Sequence, residues 1–271
     1  MSAATSPAPP LASRTARAAS PYRLSFARVV RSEWQKLLSL RSTWWSLAIT
    51  VALSVGISLL MASASRDFSV GFAPVMTIVM PMQFTMLVAG ILGAISITGE
   101  YSTGMIRSTF AAEPRRGTVL VAKAVVLTAL IALTTALTYA IAVGATAPIL
   151  ATPIDWSTPS ESLVPLLAGV FAMTTFALLG LGFGFLIRNG AGAIAATVGV
   201  LFVLPVVLGM FSFAGDSWRW LVDASNYLPM TGAQNATTVA GEHIGRGFAT
   251  LAAWPAVLLL GSWAVVRRRD A

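Results

Sequence analysis

Gly99–Lys123, GEYSTGMIRSTFAAEPRRGTVLVAK, decides how this chain is organised. It carries Glu100, Arg107, Glu113, Arg115, Arg116 and Lys123 between two apolar runs, each long enough to cross a bilayer. A greasy chain has little use for so polar a stretch unless something in water reads it. Which side of a membrane the stretch faces therefore decides what can reach it.

Outward from that stretch the chain is apolar. It has 271 residues, 56% hydrophobic and 10% charged, against roughly 25% charged in soluble proteins. A soluble domain of this length could not bury so many apolar residues, so lipid must cover part of them. The expected fold is all-α, a polytopic membrane protein with six transmembrane helices. Charge-poor runs place the spans at about 44–62, 74–98, 121–146, 163–187, 191–213 and 248–266, each near the ~20 residues that cross a bilayer. Residues 1–20, rich in Ser, Ala and Pro, read as a disordered tail. They contain no apolar core of the kind a cleaved signal needs, so the first span is expected to direct insertion. Over 21–41, Tyr22, Phe26, Val29, Val30, Trp34, Leu37 and Leu38 recur at helical spacing, with Arg28, Arg31 and Lys36 among the charges around them. That pattern predicts an amphipathic interfacial helix resting on membrane lipid.

Orientation follows from the basic residues. Of the 18 Lys and Arg, fifteen fall before span one, between spans two and three, between four and five, or after span six. Only Arg66, Arg219 and Arg246 fall on the other side. Cytoplasmic segments carry the excess of Lys and Arg, so both termini and the loop 99–118 are expected in the cytoplasm. The longer connection 214–247 is then extracytoplasmic. Trp44, Trp45, Trp156, Trp218, Trp220 and Trp263 fall near span ends, as an aromatic belt requires. The net charge of +8 is thereby assigned to orientation and anionic lipid, and no nucleic-acid partner is expected.

The chemistry-bearing patterns are mostly missing. There is no cysteine and one histidine, His243, so no thiolate site, histidine metal cluster or Ser-His triad is expected, and no catalytic residue is assigned. No G-x-x-x-x-G-K-[ST] occurs, so the chain has no phosphate loop of its own. Gly180, Gly182 and Gly184 lie inside span four, not after a strand. Together with Ala195 and Gly199 they fit close helix packing. No ionisable side chain lies deep in a span, whereas ion-coupled carriers place such groups near the midplane. The polar residues inside the spans are neutral, among them Gln83, Thr134, Thr138, Tyr139, Thr174 and Thr175, and are expected to bond neighbouring helices.

Within the opening stretch, residues 100–109 suit a short helix, Glu113-Pro114 breaks it, and Pro114 fits the first turn of the next. Glu100-Tyr101-x-x-Gly104, then Pro114-Arg115-Arg116, then Lys123 at the mouth of span three resemble the permease subunit of ABC-2-type transporters, the bacterial six-span exporter subunit. The basic segment Arg28–Trp45 and Leu228-Pro229-Met230 before the last span fit the same resemblance, which covers about residues 28–267. Met105 departs from it, standing where the family often has a hydroxyl residue.

The resemblance implies that Glu100, Tyr101, Gly104, Arg107, Pro114, Arg115 and Arg116 form a coupling segment for a cytoplasmic ABC ATPase subunit. Arg28, Arg31, Trp34 and Lys36 would lie on a connecting helix beside it, and Leu228 and Pro229 in an outer gate. It implies a second permease copy, a bacterial cytoplasmic membrane location, and no cofactor on this chain, ATP-Mg being bound by the partner. A self-standing carrier or channel, a lipid-acting membrane enzyme, and a non-transporting anchor or regulatory protein remain alternatives. The substrate is not legible.

Overall fold

The computed structural model describes residues 25–67, 73–213 and 215–268. The tail 1–20, the start of the amphipathic helix at 21–24, and Arg14, Arg17, Arg23 and Arg269 lie outside the described residues. Every regular element among the described residues is a helix, and six stretches are long and apolar enough to cross a membrane. The protein is a multi-pass membrane protein.

A short helix, α1 (Phe26–Ser39), precedes the bundle and ends where Leu40 adopts an extended backbone. The first spanning helix, α2 (Arg41–Asp67), follows at once. The second is built from α3 (Met76–Val79) and α4 (Met82–Ser102), joined through Pro81, which lacks an N–H to donate and so sits at the start of α4. A two-turn helix, α5 (Met105–Ala112), separates it from α6 (Arg116–Thr146), the third span. The fourth is α7 (Leu163–Ile187), which ends at Arg188 in the left-handed region (φ 59°). Asn189 then accepts a hydrogen bond from the Gly192 N–H at 3.0 Å and caps α8 (Gly190–Val198).

The fifth span continues through a wide π turn, Gly199–Val203, into α9 (Leu204–Met210). Pro205 explains that turn. It has no N–H for the Leu201 carbonyl, and the Leu204 N–H reaches back to Gly199 instead. On the far side lie α10 (Arg219–Ser225) and α11 (Pro229–Thr237), before α12 (Ile244–Arg268), the sixth span.

The core is the pairing of α4 with α7. A Cβ on Gly180 would strike the Gly90 carbonyl and come within 2.9 Å of the Ala94 nitrogen, and one on Gly93 would strike the Ala177 carbonyl. The glycines of α7 therefore serve backbone-to-backbone packing, as small residues do between membrane helices. Buried Met86, Ile97, Phe176 and Phe185 fill the space around this seam. Of the apolar window of α7, 67% is buried, against 11% for Gly190–Phe213. Leu133, Leu137, Leu167, Val257 and Leu260 stay exposed on the outer surface of the bundle, where lipid covers such side chains.

The α7–α12 contact is polar as well. Pro255 lies inside α12 and deprives the Leu251 carbonyl of its usual donor. The Thr175 hydroxyl of α7 donates to that carbonyl at 3.3 Å, and Ser262 of α12 donates to the Gly182 carbonyl at 3.0 Å. Thr175 thus bonds a neighbouring helix as expected. Thr134, Thr138 and Thr174 instead donate to carbonyls of their own helices, which satisfies a hydroxyl without any partner helix. Tyr139 packs against Gly169 and its hydroxyl has no partner among the described residues.

Alternation of the spans is visible in the contacts. Glu100 at the end of α4 meets Lys123 near the start of α6, Arg188 after α7 stacks on Tyr101, and Arg116 bonds the Val266 carbonyl near the end of α12. Phe26 and Arg267 line one cavity, so the two ends of the described chain lie at the same end of the bundle. We call this the basic end.

Candidate functional site

The site at the basic end is assembled around two turns of chain, one on each side of α5. Gly104 takes a left-handed conformation (φ 71°), stops α4 and lets α5 fold away. Ile106 anchors α5 in the core, while Met105, Arg107 and Ser108 face outward. At the far end of α5 the Glu113 carboxylate accepts a hydrogen bond from the Arg115 N–H at 3.1 Å. It closes the turn that Pro114 makes before α6.

Across α6 lies α1. Its buried stripe is Val29, Glu33 and Leu37, spaced by four. Leu37 joins Val126 and Leu130 of α6, with Val30, Trp34, Leu38 and Leu47 packed around them. The apolar face of α1 therefore rests largely on α6, and Trp34 belongs to that protein contact. Arg28 and Arg31 are exposed on the other face.

In the middle of this contact sit four charges. Lys123 donates to Glu33 at 2.5 Å and to Glu100 at 2.7 Å. Lys36 donates to Glu33 at 2.7 Å, to Glu100 at 3.2 Å and to the Thr109 hydroxyl at 3.2 Å. Glu33, Glu100 and Lys123 are each about 5% exposed or less. Two acids and two lysines thus form a neutral cluster binding α1, α4, α5 and α6 together. Lys123 lies seven residues into α6, about 10 Å along it. Burial opposes the charge of Lys36, but the carboxylates of Glu33 and Glu100 outweigh it and raise its pKa above the usual lysine value.

The residues assigned to coupling therefore divide. Arg107 is exposed on α5, and Gly104 makes the turn. Glu100 points inward into the cluster, because an isolated carboxylate there would lack compensation. Tyr101 is half-buried with the Arg188 guanidinium 5.4 Å above its ring. Arg116 donates to the Val266 carbonyl at 3.3 Å and lies over Phe110, so it faces α12. Arg115 and Pro114 are exposed beside it. Of the residues expected on the connecting helix, Arg28 and Arg31 face outward and Lys36 faces the cluster. Leu228 and Pro229 are buried at the opposite end, at the start of α11, which packs on α12.

Glu33 was not singled out by the sequence. One signal could have found it: an acid placed between Val29 and Leu37 on an otherwise apolar stripe.

Between α1 and α5 a cleft of about 350 Å³ opens outward, lined by Arg28, Ser32, Lys36, Met105, Ser108 and Ala112 among others. Among the described residues no three His, Asp or Glu side chains gather as a metal site would require. No protein-family model and no curated protein matches this chain.

Proposed function

We propose that the chain is the membrane-spanning permease subunit of an ATP-driven exporter of the ABC-2 type. It works as two permease copies with a separate cytoplasmic ATPase that binds ATP-Mg, in a bacterial cytoplasmic membrane. This chain holds no cofactor and performs no hydrolysis.

One observation carries the reading. The outer faces of α1 and α5 flank one cleft, and the buried cluster beneath ties both helices rigidly to the end of the second span and the start of the third. A force applied to the outer surface of α5 is then delivered to α4 and α6, because a packed interior transmits displacement instead of absorbing it. The excess of basic residues at that end supports its cytoplasmic placement. Arg107 and Met105 of α5, with Arg31 of α1, offer the docking face, and Arg28 lines the cleft between the helices.

The test is reconstitution with a candidate ABC ATPase, sought among the reading frames neighbouring the gene. Arg107→Glu changes an exposed residue, so insertion and thermal stability should match the parent. ATP-driven export, and the effect of the permease on ATP turnover, should fall at least about tenfold, as reversal of a contact charge does. An R107E protein that couples normally would remove the docking face from the reading. Transport by the isolated chain under an ion gradient would favour a self-standing carrier.

A further inference from the structure

Beside the cluster, on the other side of α6, two cavities join. One, of about 640 Å³, is lined by Arg115, Arg116 and Arg267 together with Phe26 and Trp263. The other, of about 850 Å³, runs between α6 and α12 and is lined almost wholly by apolar side chains, among them Leu120, Val125, Ala256 and Leu260. Val121 and Trp263 belong to both, so the two form one continuous groove with a cationic head and an apolar body.

The geometry points to a binding site for one anionic phospholipid, its phosphate among the arginines and an acyl chain along the groove. The construction favours an amphipathic occupant over a free anion. From Leu120 to Ala129 the apolar part follows α6 for about 13 Å, which inorganic phosphate would leave unfilled. A zwitterionic lipid would fill the body equally well but would place a positive choline beside three guanidinium groups.

Trp263 is the joint. Gly117 has no side chain, and a Cβ there would strike the Trp263 indole, so the Nε1–Cδ1 edge of the ring comes up against the backbone of α6. Tryptophan at that level is the residue type that sits where headgroup meets hydrocarbon. The Arg267 guanidinium lies over the same indole, 4.6 Å from its centroid. Arginine can rest on an aromatic ring and still present several N–H donors to phosphate oxygens. Basic pockets between spans on the cytoplasmic side suit anionic headgroups in general. The ATPase reading plays no part here, and the groove lies across α6 from the cleft between α1 and α5.

Native mass spectrometry of the purified full chain, offered phosphatidylglycerol and phosphatidylcholine with the same acyl chains, tests this without any ATPase present. The chain should retain one phosphatidylglycerol in preference. Arg115→Gln with Arg267→Gln should lower that preference about tenfold or more. Arg268→Gln removes a charge outside the groove and should leave it unchanged. Ala256→Phe, at an exposed position that fills the apolar body, should lower retention of both lipids.

Equal retention of the two lipids by the parent chain would overturn the site. So would an R268Q effect as large as that of the double variant. Displacement of phosphatidylglycerol by millimolar inorganic phosphate, with A256F harmless, would reduce it to a free-anion site. Preference appearing only after removal of residues 1–24 would mean that the chain's own N-terminus fills the groove. Since coupling is not measured, failure of the docking reading leaves these results untouched, and the reverse holds too.

Discussion

Helix α4 is held twice, by different physics. Along its middle it meets α7 through glycines, with main chain against main chain and no charge in the contact. At its end it meets α1 and α6 through Glu100, in a cluster of four charges with Lys36, Glu33 and Lys123. The first contact is fixed by shape and is indifferent to pH and salt. The second is fixed by neutralisation, and each member is tolerable only while the others are present. Membrane proteins can pack without a hydrophobic force between helices because small residues let van der Waals contact accumulate. A buried charge cluster adds little net stability but is costly to break. The seam therefore sets the stability of the bundle, and the cluster sets which surface helices accompany it.

The most damaging way to separate the two is Lys123→Met. It leaves Glu33 and Glu100 buried with only half of their neutralisation and should cost about 3–5 kcal/mol, measured as loss of thermal stability in detergent. The triple variant E33Q/E100Q/K123M should recover most of that loss. If K123M alone proves harmless, the cluster is not buried as described.

Gly180→Ala tests the seam. Its methyl group would land on the Gly90 carbonyl and force the helices apart, for about 1–3 kcal/mol or more. That loss should be the same at high and low salt. A salt-dependent loss would mean that the seam is not held by shape.

Smallest is the response to alkali. Because Lys36 has its pKa raised in the folded state, its contribution is fully present below the ordinary lysine value. It is lost only as pH rises through the higher folded value. Emission from Trp34, isolated by comparison with W34F, should therefore hold steady from neutral pH to about 10 and shift only above it. A shift between neutrality and pH 9 would contradict the pairing.

The two contacts were not equally legible in the sequence. Six spans could be read because long charge-free runs carry a local signal, and the Gly180 and Gly184 spacing announced close packing. The break at Pro114 could also be read, since proline acts on its own backbone, but the turn at Gly104 was missed: the short helix expected over 100–109 is divided there between the end of α4 and the start of α5. The cluster could not be read. Lys123 counts locally as one more basic residue at a span mouth, and Glu33 as one acid on a basic helix. Their pairing spans 90 positions, and no periodicity records it. For the same reason Glu100 and Arg116 looked like partner contacts, when one turns inward and the other bonds α12. Arg107, Pro114 and Arg115 are exposed.

The 90-residue separation of Glu33 and Lys123 also orders events during synthesis. At about 5–20 residues per second, a ribosome takes roughly 5–18 s to make Lys123 after Glu33. Through that interval two spans can insert while α1 has neither Lys123 nor the apolar surface of Val126 and Leu130 to rest on, and Glu33 is paired only with Lys36 of its own helix. The first helix to be made is thus among the last to be seated, and its docking reports that the third span has arrived.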